Sequence, residues 1–444
     1  MNSRIIIQFC LVLALSSCAK DPQSAQLDDE LLAAIELASN GIGNDHFILP
    51  ESDDYANIPQ DPKNPLTPEK VALGKLLYHE SAMAIDPIRP ISVGTYSCAS
   101  CHFAAGGFQA CLTQGISEGG MGFGINGESR VMNPAYKEDE LDVQPIRTPS
   151  VMNIAYQPNI LWNGQFGATH LNVGTETQWE YGTPKATNSL GYEGTETQAI
   201  AGMTVHRLNL NPNWAELYKY TDLFKAAFPG VPEDQLFTKE MAGLAIAAYE
   251  RTILANQAPF QDWLKGKHQA MSDKEKRGAL VFFRDANCTS CHTGPALNSM
   301  AFYGLGMLDL YHQGAFKSNK NSPENLGRGG FTKRPEDMYK FKVPQLYNLK
   351  DSPHYGHGAS MTTIREVVRY KNKAIPENPN VLASSLAAEF VPQNLTEQQI
   401  DDLVAFLTFG LRDPFLSRYE PTSVNSGLCI PVADPMAKAD LGCQ

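Results

Sequence analysis

Cys98-Ala99-Ser100-Cys101-His102 and Cys288-Thr289-Ser290-Cys291-His292 are two copies of one five-residue pattern, and the rest of the chain is read around them. C-x-x-C-H is the attachment signal for c-type haem. The two thiols add across the haem vinyl groups, and the adjacent His supplies an axial nitrogen to the iron. A redox C-x-x-C, or a zinc site shared by two C-x-x-C pairs, would also use these cysteines. Neither explains a His directly after the second Cys in both copies. The reading is two covalent haem c groups held by Cys98, Cys101, Cys288 and Cys291, with His102 and His292 as iron ligands.

The chain has 444 residues, 43% of them hydrophobic and 19% charged, which suits two ordinary globular cores. A formal charge of −12 argues against a nucleic-acid partner. Of the five cysteines outside the haem motifs, Cys10 and Cys18 lie near the N-terminus, and Cys111 suits a small buried position. Cys429 and Cys443 lie close together in a polar tail, as a disulfide or as two free thiols.

Residues 1–18 read as an export signal. Arg4 supplies the positive start, and Ile5 to Leu15 is an apolar run too short to span a bilayer. The ending Leu15-Ser16-Ser17-Cys18 resembles a bacterial lipobox, which makes Cys18 the lipid anchor of an exported, periplasmic or cell-envelope lipoprotein. Ordinary secretion with cleavage nearby is the alternative. Residues 19–63 are expected to be mostly polar tether, with a short helical pattern over Asp28–Ser39.

Packed structure is expected from Asn64 onward. Thr67 caps a helix with Pro68 at its first position, and Val71, Leu73, Leu76 and Leu77 give it an apolar face. Eight glycines between Gly106 and Gly127 predict a long flexible loop beside the first haem, with Met121 its one thioether. Helices are expected at 214–228 and 239–256. Ser272-Asp273-Lys274-Glu275 is a capping-box start leading into the second haem motif, and helices at 362–371 and 396–409 follow. The tail from Asp413 is expected to wrap the surface.

Arg147-Thr148-Pro149 with Asn153, Trp162-Asn163-Gly164, Tyr249-Glu250-Arg251-Thr252, Lys276-Arg277-Gly278 and Lys342-Val343-Pro344-x-Leu346-x-Asn348 occur in this order. Together with the haem motifs, this set resembles the bacterial di-haem cytochrome c peroxidase family, which includes related tryptophan-oxidising di-haem enzymes. The resemblance covers about residues 64–412. It implies an all-α fold of two cytochrome c-type domains with long loops: 64–260 with the peroxidatic haem and 261–412 with the electron-transfer haem, before a tail at 413–444. It further implies Trp162 between the haems, a small electron-donor protein (a cytochrome c or a cupredoxin), hydrogen peroxide as substrate, dimers in many members, and a Ca²⁺ at the domain interface. Arg147 stands where many members have an Asn ligand to that ion.

The departures from the family are specific. Many members carry a distal His in the loop after the first haem motif, but no His occurs here between His102 and His170. The first haem is therefore expected to be open unless Met121 caps it. The family's distal Gln matches Gln198. Its distal Glu falls near Leu208 by register, so His206 is the expected proton-transfer residue, with Glu193 and Glu196 behind it; the bland alternative is a surface His206. The sixth ligand of the second haem is expected to be Tyr370, with Lys371 and Met361 as alternatives. The expected activity is peroxide reduction. Oxidation of an organic substrate or partner protein, and a non-catalytic di-haem electron carrier, are the alternatives.

Overall fold

The computed structural model describes residues 22–443. The expected leader, with Cys10 and the anchor at Cys18, lies outside the described residues. Helices make up 44% of the described residues, and each strand among them is two residues long, so the fold is helical. The architecture is carried by α1 (Pro22–Ala38), α2 (Pro68–His79), α3 (Gly194–Val205), α4 (Lys239–Arg251), α5 (Asp273–Leu280), α6 (Ile364–Lys373), α7 (Glu397–Ala405) and α8 (Pro435–Leu441). Short helical turns and long loops join them. Two small antiparallel ribbons pair β1 (Gly120–Met121) with β2 (Val131–Met132) and β3 (Phe302–Tyr303) with β4 (Phe341–Lys342).

Two helix crossings organise the molecule. α2 packs on α4 and α5 packs on α7, each pair next to one haem motif. Both crossings are closed at a glycine. A Cβ on Gly74 would lie 1.8 Å from Ala245 O of α4, and one on Gly278 would lie 2.0 Å from Asp402 O of α7. No side chain fits at either point, so glycine sets the interaxial distance. The caps follow the sequence. Thr67 accepts from Lys70 N with Pro68 at N1, and Ser272 and Glu275 form a reciprocal capping box at α5. The helix expected over 214–228 is interrupted: Pro212–Leu217 and Thr221–Ala227 are separate, because Lys219 has a φ of 60°.

Three expected loose segments are packed. Residues 22–63 are not a tether. Leu31, Ile35, Phe47 and Leu49 are fully buried in the main core, and α1 lies on α5. Asp28 of α1 accepts from Trp263 Nε1 at 2.8 Å and pairs with buried Lys276 at 2.7 Å. Polar residues of the segment are themselves buried: Asp28, Ser39 and Asp61. The glycine-rich loop is also held in place. The Arg130 guanidinium is buried inside it and donates to Ile116 O, Gly122 O and Ser117 O. The tail closes over that loop: Asp434 pairs with Arg130 at 3.3 Å, and Asp440 accepts from Phe123 N and Gly124 N. Cys429 and Cys443 form a disulfide.

Candidate functional site

A cavity of about 700 Å³ runs through the core, and residues of both haem motifs line it. Cys98, Cys101 and His102 of the first motif, Cys288, Cys291 and His292 of the second, and Trp162 all lie on its wall. The same local device holds both histidines. Nδ1 of His102 donates to Phe108 O at 3.2 Å, and Nδ1 of His292 donates to Leu297 O at 3.0 Å. Taking the proton on Nδ1 leaves Nε2 as the lone-pair nitrogen, the tautomer an iron ligand needs. Burial pushes both imidazoles down to about 4, so they stay neutral across the physiological range.

Behind each histidine lies a second repeated stretch, Arg147-x-Pro149-x-x-x-Asn153 and Lys342-x-Pro344-x-x-x-Asn348, beginning 45 residues after His102 and 50 after His292. The carbonyls of Pro149 and Pro344 also face the two imidazoles. Asn153 and Asn348 both adopt a left-handed backbone, φ 54° and 55°. Each uses its side-chain oxygen to accept a distant backbone N–H, from Ala255 and Asp413 respectively. Asn tolerates this conformation better than most residues. The sequence carried this equivalence openly, but it emerges only when the two stretches are compared with each other.

The cations that open these stretches are buried, and neither has an ion-pair partner among the described residues. Arg147 donates to Gln109 Oε1 at 2.5 Å and to Ser352 Oγ at 3.1 Å, while its Nε has no partner. Lys342 donates to Gln157 Oε1 and Asn159 O. Burial lowers Arg147 to about 10 and Lys342 to about 7. Such uncompensated cations lining a cavity fit an anionic ligand. The cysteine pairs, the neutral histidines and these two cations together fit two haem c groups with their carboxylates. No group of three or more His, Cys, Asp or Glu able to hold a metal ion occurs among the described residues.

Near the first haem motif, α3 supplies the polar groups. Gln198, Gly202 and His206 succeed one another at four-residue spacing along one line and all border the cavity. A Cβ on Gly202 would lie 3.7 Å from both Gln198 Nε2 and His206 Cδ2, so the two side chains flank a bare backbone turn. The side-chain amide of Gln198 has no hydrogen-bond partner among the described residues. His206 Nδ1 bonds Asp142 Oδ2 at 2.8 Å, and Asp142 is buried. Burial pushes the His206 imidazolium down, but the Asp142 carboxylate and its hydrogen bond outweigh this and hold the group above its ordinary 6.5. Asp142 escaped the sequence reading because it lies 64 residues before its partner in a loop without a motif.

Other sequence expectations are placed elsewhere. Met121 lies in β1 and does not border the cavity. Glu193 and Glu196 pair with buried Arg251 at 3.0 and 2.6 Å and do not border it either. Trp162 does border it: its Nε1 donates to Arg147 O at 2.9 Å, and its own carbonyl accepts from Lys342 N at 2.8 Å. Trp162 is thus tied to both repeated stretches. Tyr370, expected as an iron ligand, is turned away. Its hydroxyl donates to Leu305 O at 2.5 Å, its ring lies 5.4 Å from Phe390, and it does not border the cavity. Met361 packs in the same small cluster with Tyr370 and Phe390. Lys371 does border the cavity. Cys111 is buried, as expected.

A family profile described as di-haem cytochrome c peroxidase matches residues 68–269. The cytochrome-c peroxidase IdrP1 of Denitromonas iodatirespirans is 27% identical over 415 residues, covering 89% of this chain and 95% of that protein. The methylamine utilization protein MauG of Methylorubrum extorquens is 28% identical over 365 residues, covering 81% and 82%. Among solved structures, a MauG-like protein associated with microbial copper homeostasis has the same fold, with a TM-score of 0.56 and 22% identity over 87% of this chain and 98% of that one. Over residues 68–269 the chain therefore matches the di-haem cytochrome c peroxidase family. It is an oxidoreductase of the cytochrome c peroxidase kind.

Proposed function

We propose that this chain is an exported di-haem c-type peroxidase. Hydrogen peroxide is reduced to water at the N-terminal haem, and electrons enter by the C-terminal haem from a small redox protein, a cytochrome c or a cupredoxin. The two halves, 64–260 and 261–412, are read as its two cytochrome c domains. When bound, the haem iron supplies the redox chemistry at the peroxide. Cys98 and Cys101 hold the first haem and Cys288 and Cys291 the second, with His102 and His292 as iron ligands. Arg147 and Lys342 are suited to haem carboxylates.

The observation that carries the reading is the polar face of α3 beside His102. The Gln198 amide is unengaged and is suited to orienting a small oxygen ligand. His206 has its Nδ1 proton committed to Asp142, so its Nε2 is free to take a proton and return it. Moving a proton from the inner to the outer peroxide oxygen is the task O–O cleavage needs. Trp162, tied by hydrogen bonds to both halves, is placed to couple the haems.

A second reading, oxidation of an organic substrate or partner protein with peroxide, is favoured by one feature: the cavity face of α6 presents an amine and no thioether. One experiment addresses both. The resting oxidised protein is mixed with one equivalent of H₂O₂, and the spectrum is followed with and without a reduced cytochrome c. Fast peroxide consumption coupled to cytochrome oxidation supports the peroxidase. Consumption that ignores every small redox protein, yet proceeds with an organic reductant, supports the second reading. A spectrum that peroxide does not alter, even after half-reduction, overturns both.

A further inference from the structure

We propose that Lys371 is the sixth ligand to the iron of the second haem. The inference rests on the reading that both C-x-x-C-H motifs carry haem. Helical geometry supplies the first observation. Val367, Val368, Lys371 and Asn372 border the cavity, the spacing of one helix face. Tyr370 lies about 100° round the helix from Lys371, which is why its ring enters the Phe390 cluster instead.

The second observation is that the amine is unclaimed. Lys371 makes no hydrogen bond or ion pair among the described residues. Its charge is felt by His292 and by both Cys288 and Cys291, so it lies in the second haem's compartment. The side chain is half-buried, and its amine meets the cavity with no protein partner, so a group bound there can complete it. Three neighbouring polar side chains are engaged. Asn372 exchanges both its side-chain groups with Leu395, His357 Nε2 bonds Asp309, and Asn378 Nδ2 bonds Asp309. Met307 and His354 also border the cavity, and the test distinguishes them. Ligation needs the neutral amine, so the ammonium proton leaves for solvent as the nitrogen lone pair forms the bond to iron.

The test uses the haem-loaded full chain. Covalent haem is first counted; fewer than two, with Cys288 and Cys291 unmodified, removes the underlying reading and the proposal with it. With two haems, the low-spin ferric signal of the C-terminal haem is compared between protein grown on ¹⁵N-lysine and on ordinary lysine. A changed nitrogen hyperfine coupling is expected, and this needs no variant. Lys371→Ala is expected to abolish that low-spin signal in favour of high-spin iron. Tyr370→Phe and Met307→Leu are expected to leave it intact. A coupling indifferent to lysine labelling overturns the proposal, as does a low-spin signal that survives Lys371→Ala or disappears in Tyr370→Phe, Met307→Leu or His354→Gln. So does a Lys371→Ala protein that stays low-spin while its reduction potential moves, since the amine would then serve a haem carboxylate.

Discussion

In the proposed role as base, His206 acts only while Nε2 is unprotonated, and Asp142 controls that in two ways. It fixes the tautomer by accepting from Nδ1, and its charge favours the imidazolium. His206→Ala is expected to slow the peroxide reaction by about 10²–10⁴-fold in stopped-flow mixing. Asp142→Asn keeps the shape and removes the charge. The groups facing His206 are Asp142, which raises its pKa, and Arg207, which lowers it, with Glu118 paired to Arg207 behind. Without the carboxylate the imidazolium gives up its proton more readily. The acidic limb of the pH–rate profile should therefore move to lower pH, while the rate on the plateau falls. Glu250 offers a separate check on stability. Burial, with Glu196 adding to it and Arg251 opposing, raises its carboxyl to about 8, and its Oε2 has no partner. The native state thus keeps a proton that the unfolded chain releases near 4.5, so stability falls as pH rises from about 4.5 to about 8. Each pK unit of that gap is worth roughly 1.4 kcal/mol. Glu250→Gln should flatten the slope of Tm against pH across that window and raise Tm at its alkaline end.

At the scale of elements, the two glycine crossings make the clearest case. A methyl at Gly74 or Gly278 meets a backbone carbonyl, which cannot rotate away as a side chain would. Gly74→Ala and Gly278→Ala should each destabilise the protein by ~2–4 kcal/mol, read by chemical denaturation, through forced separation of α2 from α4 or of α5 from α7. Helix α1 shows how a propensity reading goes astray. Its apolar residues were visible at helical spacing, but the partner they bury against lies more than 200 residues away on α5. The buried Asp28–Lys276 pair makes the docking directional. Asp28→Ala leaves the Lys276 ammonium buried without its counter-charge and should cost about 3–5 kcal/mol.

Over the whole molecule, the chain ends where it began to matter. The tail from Asp413 crosses from the second half to the first and clamps the loop that borders the first haem site. Arg130 is the centre of that clamp, and Asp434 is its acidic partner. Replacing Cys429 and Cys443 by serine opens a cross-link of 14-residue separation and should cost ~3 kcal/mol by chain entropy, with earlier proteolysis of the tail as the readout.

The sequence by itself carried the two C-x-x-C-H motifs on which the haem proposal rests, the helical class, the helix caps and the likeness to the family, because each is written in contiguous residues or fixed spacings. It also carried Gln198, Trp162 and His206 as candidates. Only the tertiary structure decided which of them meet. Asp142 reaches His206 from a motif-free loop, Glu196 is taken by Arg251, and a turn of 100° on one helix exchanges Tyr370 for Lys371 at the cavity wall. The same holds for residues 22–63 and for the tail. Their polar composition describes the face turned to water, whereas burial depends on a partner surface that the chain supplies hundreds of residues away.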